Sequence, residues 1–146
     1  INITKSLIDF DSFKELLELI VRFKPDLIGI RAMTFYSGFF HEGVAYLRNN
    51  GIKIPIIAGG PYPTASYHDI LKDKNIDVCA IAEGELTLLE FINAMIANKK
   101  QLPNFETLKK IKGIAFSHKQ NNNNTREGIA SIPVSGTIPE VINNSM

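Results

Sequence analysis

Residues 52–64, IKIPIIAGGPYPT, contain the pattern that decides the fold. The apolar run over 52–58 predicts a strand, and Gly59-Gly60-Pro61 ends it. The same alternation of strands and helices extends in both directions from this stretch. Strands are predicted over 27–30, 52–58 and 76–82. One helix is predicted to end before Pro25, and others are predicted over 36–50, 67–72 and 87–97. Strands that alternate with helices at this spacing indicate βαβ units with right-handed crossovers. The sequence therefore predicts an α/β fold with an open, doubly wound parallel sheet of the flavodoxin-like (Rossmann-like) type.

Three helices have apolar residues at spacings of three and four, which predicts the sides that pack on the sheet. These residues are Phe13, Leu16, Leu17, Ile20 and Val21 in the first helix, Phe40, Val44 and Leu47 in the second, and Leu88, Leu89, Ile92, Met95 and Ile96 in the last. The short run 27–30 is typical of a strand that is buried on both faces.

The two ends of the chain are less regular. Residues 1–7 predict a short strand, and 111–117 predict one more strand. The polar run 119–126 predicts an exposed hairpin tip, and 128–134 a weak return strand. We therefore divide the chain into an α/β domain over 1–118 and an irregular C-terminal extension over 119–146, which we interpret as a loop, a hairpin strand and a linker.

The composition excludes several classes of protein. The 146 residues are 45% hydrophobic and 21% charged, with a net charge of +1, so no strong field recruits nucleic acid or an anionic membrane. The apolar runs are far shorter than the ~20 residues that span a bilayer. No basic-then-apolar leader opens the chain, so we expect a cytoplasmic protein.

The cysteine and histidine content argues against a metal site. Cys79 is the single cysteine, which excludes an internal disulfide and a multi-cysteine zinc or iron–sulfur site within this sequence. It lies in an apolar run and is predicted to be buried. His41, His68 and His118 lack the spacing of metal ligands. We predict neither a metal site formed by protein side chains nor a catalytic centre.

Three segments follow the predicted strands at the edge where open α/β sheets bind ligands. They span 31–34, 59–64 and 83–87. Gly59-Gly60 serves either the turn alone or the close approach of a flat ligand to the backbone. Glu83 and Glu85 either stabilise a helix N-terminus or form an acid–base pair, and Thr64 is predicted to cap the helix after it. The dinucleotide, Walker and nucleophile-elbow motifs are absent.

Three stretches of the sequence occur in a recognisable order: 24–30 (KPDLIGI), 54–64 (IPIIAGGPYPT) and 77–89, around Glu83-Gly84-Glu85. Because of these three stretches, the sequence resembles the B12-binding (cobalamin-binding) domain of radical S-adenosylmethionine (radical SAM) proteins. Among these proteins, the anaerobic magnesium-protoporphyrin IX monomethyl ester cyclase-like proteins and the B12-dependent radical methylases are the most similar.

The resemblance implies cobalamin as cofactor, with an Fe–S cluster and S-adenosylmethionine in a separate catalytic domain that would be the partner. The residues that it implies for cofactor binding are Met33, Thr34, Gly59, Gly60, Pro61, Glu83, Gly84, Glu85 and Thr87. The motif D-x-H-x-x-G is absent, so no protein histidine is expected as lower axial ligand. The first strand and helix of the family domain are expected to be truncated before residue 1.

The sequence departs from the family pattern at three positions. Arg31 stands where the family commonly has Ser, Tyr62 where it has His, and Ala82 where it has Gly. These departures keep a second function open, that of a scaffold or substrate-recognition domain without the cofactor. A third possibility is a response-regulator-like receiver domain, which accepts a phosphoryl group and shares the flavodoxin-like architecture. Such a domain needs an acidic cluster at its strand ends, and this sequence has none there.

Overall fold

The computed structural model of the chain describes residues 10–82 and 84–117. The predicted strand over 1–7, the hairpin tip over 119–126 and the return strand over 128–134 lie outside these residues. The helices are α1 (Phe10–Phe23), α2 (Ser37–Asn49), α3 (Pro61–Ile70), α4 (Gly84–Ala97) and α5 (Phe105–Leu108). The strands are β1 (Ile28–Arg31), β2 (Ile56–Gly59), β3 (Val78–Ala80) and β4 (Ile114–Phe116), and a 3₁₀ turn spans Thr34–Tyr36.

The four strands form one sheet in the order β1-β2-β3-β4. The pairs β1–β2 and β2–β3 are parallel, with Gly29 opposite Ile57 and Ala58 opposite Cys79, which confirms the predicted parallel sheet for these three strands. The fourth strand is antiparallel to β3. The amide of Ile81, just past β3, donates to the carbonyl of Gly113, so β4 starts at the edge where β3 ends and runs back along it.

Helices cover both faces of the sheet, as a doubly wound fold requires. One core contains Ile20 of α1, Phe40, Val44 and Leu47 of α2, and Ile70 of α3, packed with Ile56, Ala58 and Cys79. The other contains Phe91 and Met95 of α4 and Leu108 of α5, packed on Ile57, Val78 and Ile114. Consecutive residues of β2 therefore contribute to opposite cores, which is the two-residue period of a strand.

The predicted helix faces have three different outcomes. In α2 the prediction is confirmed, because Phe40, Val44 and Leu47 are buried. In α1 the residues Phe13 and Ile20 are buried, but Val21 is 59% exposed. In α4 the predicted face is wrong except at Met95: the helix buries Thr87, Phe91 and Met95, and it exposes Leu88, Leu89, Ile92 and Ile96.

Strand β1 is not buried on both faces, contrary to the expectation for residues 27–30. Ile28 is buried, Gly29 and Arg31 are exposed, and Ile30 is intermediate. It lies at the end of the sheet that β1–β4 form, and alternating exposure is typical of a strand that packs on one face only.

Strands β2 and β3 start later than predicted, and the side chain of Arg48 bonds to the segments before them. The guanidinium of Arg48 in α2 donates to the carbonyls of Ile52 and Ile54, and to the carboxylate of Asp77 at 2.8 Å. The same carboxylate accepts from the amide of Ile56. Arg48 thus fixes the segments that enter β2 and β3, and strand pairing begins only beyond them.

Candidate functional site

The described residues of the three predicted segments, 31–34, 59–64 and 84–87, lie at one edge of the sheet, since each segment follows a strand of the parallel set. Backbone hydrogen bonds join the first two segments: the amide of Ala32 donates to the carbonyl of Gly59 at 2.8 Å, and the amide of Tyr62 donates to the carbonyl of Ala32 at 3.1 Å. The segment after β1 is therefore fixed to the turn after β2. Both are held in place before any ligand binds, which favours a preformed binding surface.

The two adjacent glycines of the second segment differ in their surroundings. Gly60 has a φ of +100°, and a β-carbon there would lie 3.0 Å from Cγ of Arg31 and 3.2 Å from the carbonyl oxygen of Ala32. A β-carbon on Gly59 would meet only Cβ of Ala80, at an ordinary 3.9 Å. Gly60 is therefore required by the turn and by the packing of the protein on itself. Of the two, Gly59 leaves room above its backbone.

Helix α3 begins at Pro61, six residues earlier than the predicted 67–72, and it has a non-helical residue at Ser66. The prediction that Thr64 caps a following helix is therefore wrong. Its hydroxyl lies inside the first turns of α3, where it donates to the carbonyl of Gly60 at 2.9 Å. It also accepts from the amide of Ala82 at 3.0 Å. Thr64 thus joins the turn after β2 to the turn after β3.

The third segment combines a strained turn with a helix start. Ala82 adopts a left-handed φ of +60°. Glu83 lies outside the described residues, and Gly84 and Glu85 form the first turn of α4, earlier than the predicted start at 87. Glu85 is exposed, and a carboxylate in a first helical turn interacts favourably with the helix dipole. Gly84 is tightly placed, since a β-carbon there would lie 3.3 Å from Cβ of Ala80.

Thr87 is 6% exposed, so it lies beneath the edge rather than on it. Its hydroxyl donates to the carbonyl of Lys112 at 2.8 Å. The next residue, Gly113, has a φ of +72°, and a β-carbon on it would lie only 2.6 Å from Oγ1 of Thr87. Thr87 therefore fastens the start of α4 to the turn before β4. At the other end of the edge, Met33 and Thr34 are exposed, and Phe35 beside them is 94% exposed.

A chain of polar side chains behind the second segment has no signal in the sequence. Nδ1 of His41 forms a hydrogen bond with the carboxylate of Asp73 at 2.6 Å, and Nε2 forms one with the hydroxyl of Tyr62 at 3.1 Å. Burial raises the pKa of Tyr62, and the carboxylates of Asp69 and Asp73 raise it further. The partners are 21 and 32 residues apart, so only the fold brings them together. Tyr62, one of the departures from the family pattern, thereby links the first turn of α3 to His41 of α2.

Cys79 is fully buried in β3, as predicted. Burial raises the pKa of its thiol to about 12, which keeps the sulfur protonated and unsuited to metal binding. Among residues 10–82 and 84–117, no group of three or more His, Cys, Asp or Glu side chains is arranged to hold a metal ion. Within the same ranges, no helix has the length and apolar character that crossing a membrane requires.

A cavity of about 360 Å³ lies between α1, α2 and the end of β1. It adjoins the first segment through Arg31, Ala32 and Met33. Its remaining walls are largely aromatic and aliphatic, formed by Phe13, Leu16, Ile30, Phe39, Phe40 and Val44 together with Ser12, Glu15, Tyr36 and Gly43. The carboxyl edge therefore has an apolar recess beside its first segment.

Comparison with known proteins adds independent findings. The family described as the B12 binding domain matches residues 3–92. The chain is 39% identical over 105 residues to the anaerobic magnesium-protoporphyrin IX monomethyl ester cyclase of Synechocystis sp., a match that covers 70% of the chain and 20% of that protein. It is 27% identical over 108 residues to an uncharacterised methyltransferase of Pyrococcus horikoshii, covering 72% of the chain and 22% of that protein. The chain thus spans about a fifth of the length of these relatives.

Two solved structures share the fold. One is the radical S-adenosylmethionine methyltransferase TsrM from Kitasatospora setae with cobalamin and a 4Fe-4S cluster bound, at 16% identity and a TM-score of 0.63 over 82% of this chain and 23% of that one. The other is the cobalamin-dependent S-adenosylmethionine radical enzyme OxsB with aqua-cobalamin and S-adenosylmethionine bound, at 16% identity and a TM-score of 0.59 over 86% of this chain and 16% of that one. Both likenesses confirm the predicted fold class.

Proposed function

Since the chain belongs to the B12-binding domain family, we propose that it binds cobalamin and presents the corrinoid, at the carboxyl edge of its sheet, to a separate radical SAM catalytic domain. The observation that carries this proposal is the family match over residues 3–92. The solved relatives TsrM and OxsB, each with cobalamin bound, support it through the shared fold.

The residues of the edge suit a large ligand with a flat ring system. Gly59 offers backbone without a β-carbon, and the exposed side chains of Met33 and Phe35 are apolar. Exposed apolar surface of this kind is typical of a ligand or partner site. The residues that would hold the cofactor are Met33, Thr34, Gly59, Gly60, Pro61, Glu83, Gly84 and Glu85, while buried Thr87 would act through the turn that it fastens.

Cobalamin, when bound, supplies a cobalt centre that carries a methyl group or tunes a radical step. The protein's own contribution is to bind and to orient. Both ring nitrogens of His41 are engaged by Asp73 and Tyr62, so this imidazole is a support for the second segment and not a free ligand. The fixed positions of Ala32, Gly59 and Tyr62 reduce the ordering that binding would otherwise require.

The proposal is tested by incubating the chain with hydroxocobalamin, desalting it, and recording the visible absorption of retained corrinoid. The decisive variant is Gly59→Ala, because the new β-carbon has ordinary room within the protein. If the corrinoid or its nucleotide tail lies on this backbone, we expect roughly tenfold weaker binding with an unchanged thermal midpoint, the equivalent of about 1.4 kcal/mol. The matched control is Gly38→Ala, where nothing lies within 4 Å.

The outcomes separate the two functions. Retained bands in the wild-type chain and in Gly38→Ala, with a loss in Gly59→Ala, support cofactor binding at this edge. Uptake that is equal in all three chains places the cofactor elsewhere. A wild-type chain that retains no corrinoid contradicts the proposal and favours the cofactor-free scaffold or recognition domain, for which the anchoring of Tyr62 at a position where the family commonly has His is the supporting observation.

A further inference from the structure

The helix after the glycine turn does not offer the amides that usually bind a phosphate in an open α/β sheet. The first four residues of α3 are Pro61, Tyr62, Pro63 and Thr64. The two prolines have no N–H group. The amide of Tyr62 donates to the carbonyl of Ala32, at 3.1 Å. The amide of Thr64 donates to the carbonyl of Gly60, also at 3.1 Å. The amides at the start of α3 are therefore used within the protein.

The start of α4 is a poor site for an anion for a different reason. Glu85 lies in the first turn of this helix and is exposed. Its carboxylate already interacts with the positive end of the helix dipole, and it repels a second negative charge at the same place. An anionic group that reaches the carboxyl edge is therefore expected to bind away from the first turns of α3 and α4.

Arg31 supplies a positive charge at this edge, beside the turn after β2. It is the last residue of β1, and it lies opposite Gly59 in the register of the parallel pair. Its side chain packs against the turn, since a β-carbon on Gly60 would lie 3.0 Å from Cγ of Arg31. The turn that leaves Gly59 open to a ligand therefore also positions the stem of Arg31.

The charge of Arg31 has no carboxylate partner among residues 10–82 and 84–117. Arg48, by contrast, is paired with Asp77 at 2.8 Å. No ion pair joins Arg31 to a carboxylate in the described ranges, not even to Glu15, which lines the same recess. The other walls of that recess are largely apolar. A guanidinium beside apolar walls is screened less by water, which strengthens its attraction to an anion.

We propose that Arg31 binds the phosphodiester of cobalamin and makes this chain selective for corrinoids that carry a phosphate. This inference rests on the proposed function. The phosphodiester joins the corrin to its nucleotide base, and it is the anionic side group of a cofactor whose other side groups are neutral amides. A guanidinium forms bidentate, charge-assisted hydrogen bonds with phosphate oxygens. Serine, which the family commonly has at this position, lacks the charge, so the selectivity belongs to this chain rather than to the family pattern.

The first test compares three corrinoids by titration calorimetry. They are cobalamin, cobinamide phosphate, which keeps a phosphate but lacks the base, and cobinamide, which lacks both. We expect the wild-type chain to bind the two phosphate-carrying corrinoids about tenfold more tightly than cobinamide. Added salt should reduce this difference, because it screens an exposed ion pair. Equal binding of cobinamide phosphate and cobinamide would overturn the proposal, since the phosphate would then not be recognised.

The second test uses substitutions of Arg31. Arg31→Gln removes the charge but keeps Cβ and Cγ, so the contact of the stem with Gly60 remains. We expect about tenfold weaker binding of cobalamin and cobinamide phosphate, with unchanged binding of cobinamide and an unchanged thermal midpoint. Arg31→Lys keeps the charge without the bidentate donors and should restore part of the affinity. The matched control is Lys53→Gln, which removes a positive charge from an exposed residue before β2, at the opposite edge of the sheet.

The outcomes separate this inference from the proposed function. A chain that binds none of the three corrinoids contradicts both. A chain that binds all three equally well keeps the proposed function and overturns the inference. The same holds if Arg31→Gln weakens all three equally, because Arg31 would then only support the turn. A preference for phosphate that is lost in Arg31→Gln and kept in Lys53→Gln supports the proposal.

Discussion

The turn after β2 and the turn after β3 lie side by side at the same edge, and both use left-handed backbone. At the first turn, Gly60 has a φ of +100° and its missing β-carbon leaves room for Arg31 and Ala32. At the second turn, Ala82 has a φ of +60° and is exposed. The first turn therefore excludes a side chain by backbone geometry and by packing, whereas the second tolerates a methyl group at the cost of strain.

This difference separates two functions that glycine serves in such a motif. Gly60 is fixed by the protein's own packing, which accounts for the residue without reference to a ligand. Gly59, next to it, is constrained by neither φ nor packing. A glycine that the fold does not require is the better candidate for a ligand contact, and this is why the binding test uses Gly59.

The largest effect on stability is expected at Gly60. Gly60→Ala forces a β-carbon into a φ of +100° and against the backbone oxygen of Ala32. Strain and overpacking each cost about 1–3 kcal/mol, so we expect a loss of roughly 3 kcal/mol in the free energy of unfolding. Urea denaturation of Gly60→Ala beside Gly59→Ala measures it. If the two variants unfold at the same urea concentration, the contrast between the glycines is wrong.

A second large effect is expected at Gly113, which supports the turn after β3 from the turn before β4. A β-carbon there would lie 2.6 Å from Oγ1 of Thr87, so Gly113→Ala must displace the hydroxyl that bonds to Lys112. We expect a loss of about 2 kcal/mol, from strain at φ +72° and from the lost hydrogen bond.

Combining Gly113→Ala with Thr87→Ala identifies the cause of that loss. Removing the hydroxyl removes the clash, so the double variant should lose less stability than the sum of the two single variants. Strictly additive losses would show that Thr87 and Gly113 do not interact.

Sequence patterns predicted the parts of this molecule that depend on local periodicity. The strand–helix alternation, the common edge of the three segments and the buried face of α2 all follow from residue spacing. The orientation of α4 does not, because Leu88, Leu89, Ile92 and Ile96 are as apolar as the residues that it buries. A hydrogen bond from Thr87 to a residue 25 positions away helps to fix the helix, and no local pattern reports it.

The same limit applies at the site. Thr64 matches the pattern of a helix cap, but its hydroxyl instead joins two turns that are 18 residues apart in sequence. The polar chain of Asp73, His41 and Tyr62 likewise exists only in the folded protein. The three strand-end segments were predictable because a parallel sheet places its strand ends together. The contacts that hold these segments in place were not predictable, because hydrogen bonds between residues far apart in sequence leave no periodic pattern.

A moderate effect is expected at Thr64, which couples the two turns. Thr64→Val keeps the shape but removes the donor to Gly60 and the acceptor for the amide of Ala82. Because Thr64 is exposed and water can replace part of these bonds, we expect a loss of about 1 kcal/mol.

Hydrogen exchange tests the coupling directly. The amide of Ala82 should exchange faster in Thr64→Val than in the wild-type chain, since its acceptor is gone. Thr64→Ser retains the hydroxyl and serves as the control. Unchanged exchange at Ala82 in the valine variant would mean that Thr64 does not hold the second turn.

The smallest effect, of opposite sign, is expected at Ala82. An alanine in left-handed backbone costs about 1–2 kcal/mol, whereas glycine adopts this conformation freely but loses more entropy on folding, roughly 0.5–1 kcal/mol. Ala82→Gly should therefore raise the free energy of unfolding by about 0.5 kcal/mol. This substitution also introduces the residue that the family commonly has at this position.

The control is Ala80→Gly in β3, where the side chain is 5% exposed and no left-handed strain exists, so stability should fall. Two variants that carry the same chemical change two residues apart should thus shift the thermal midpoint in opposite directions. If both lower it, the left-handed backbone at Ala82 does not cost stability.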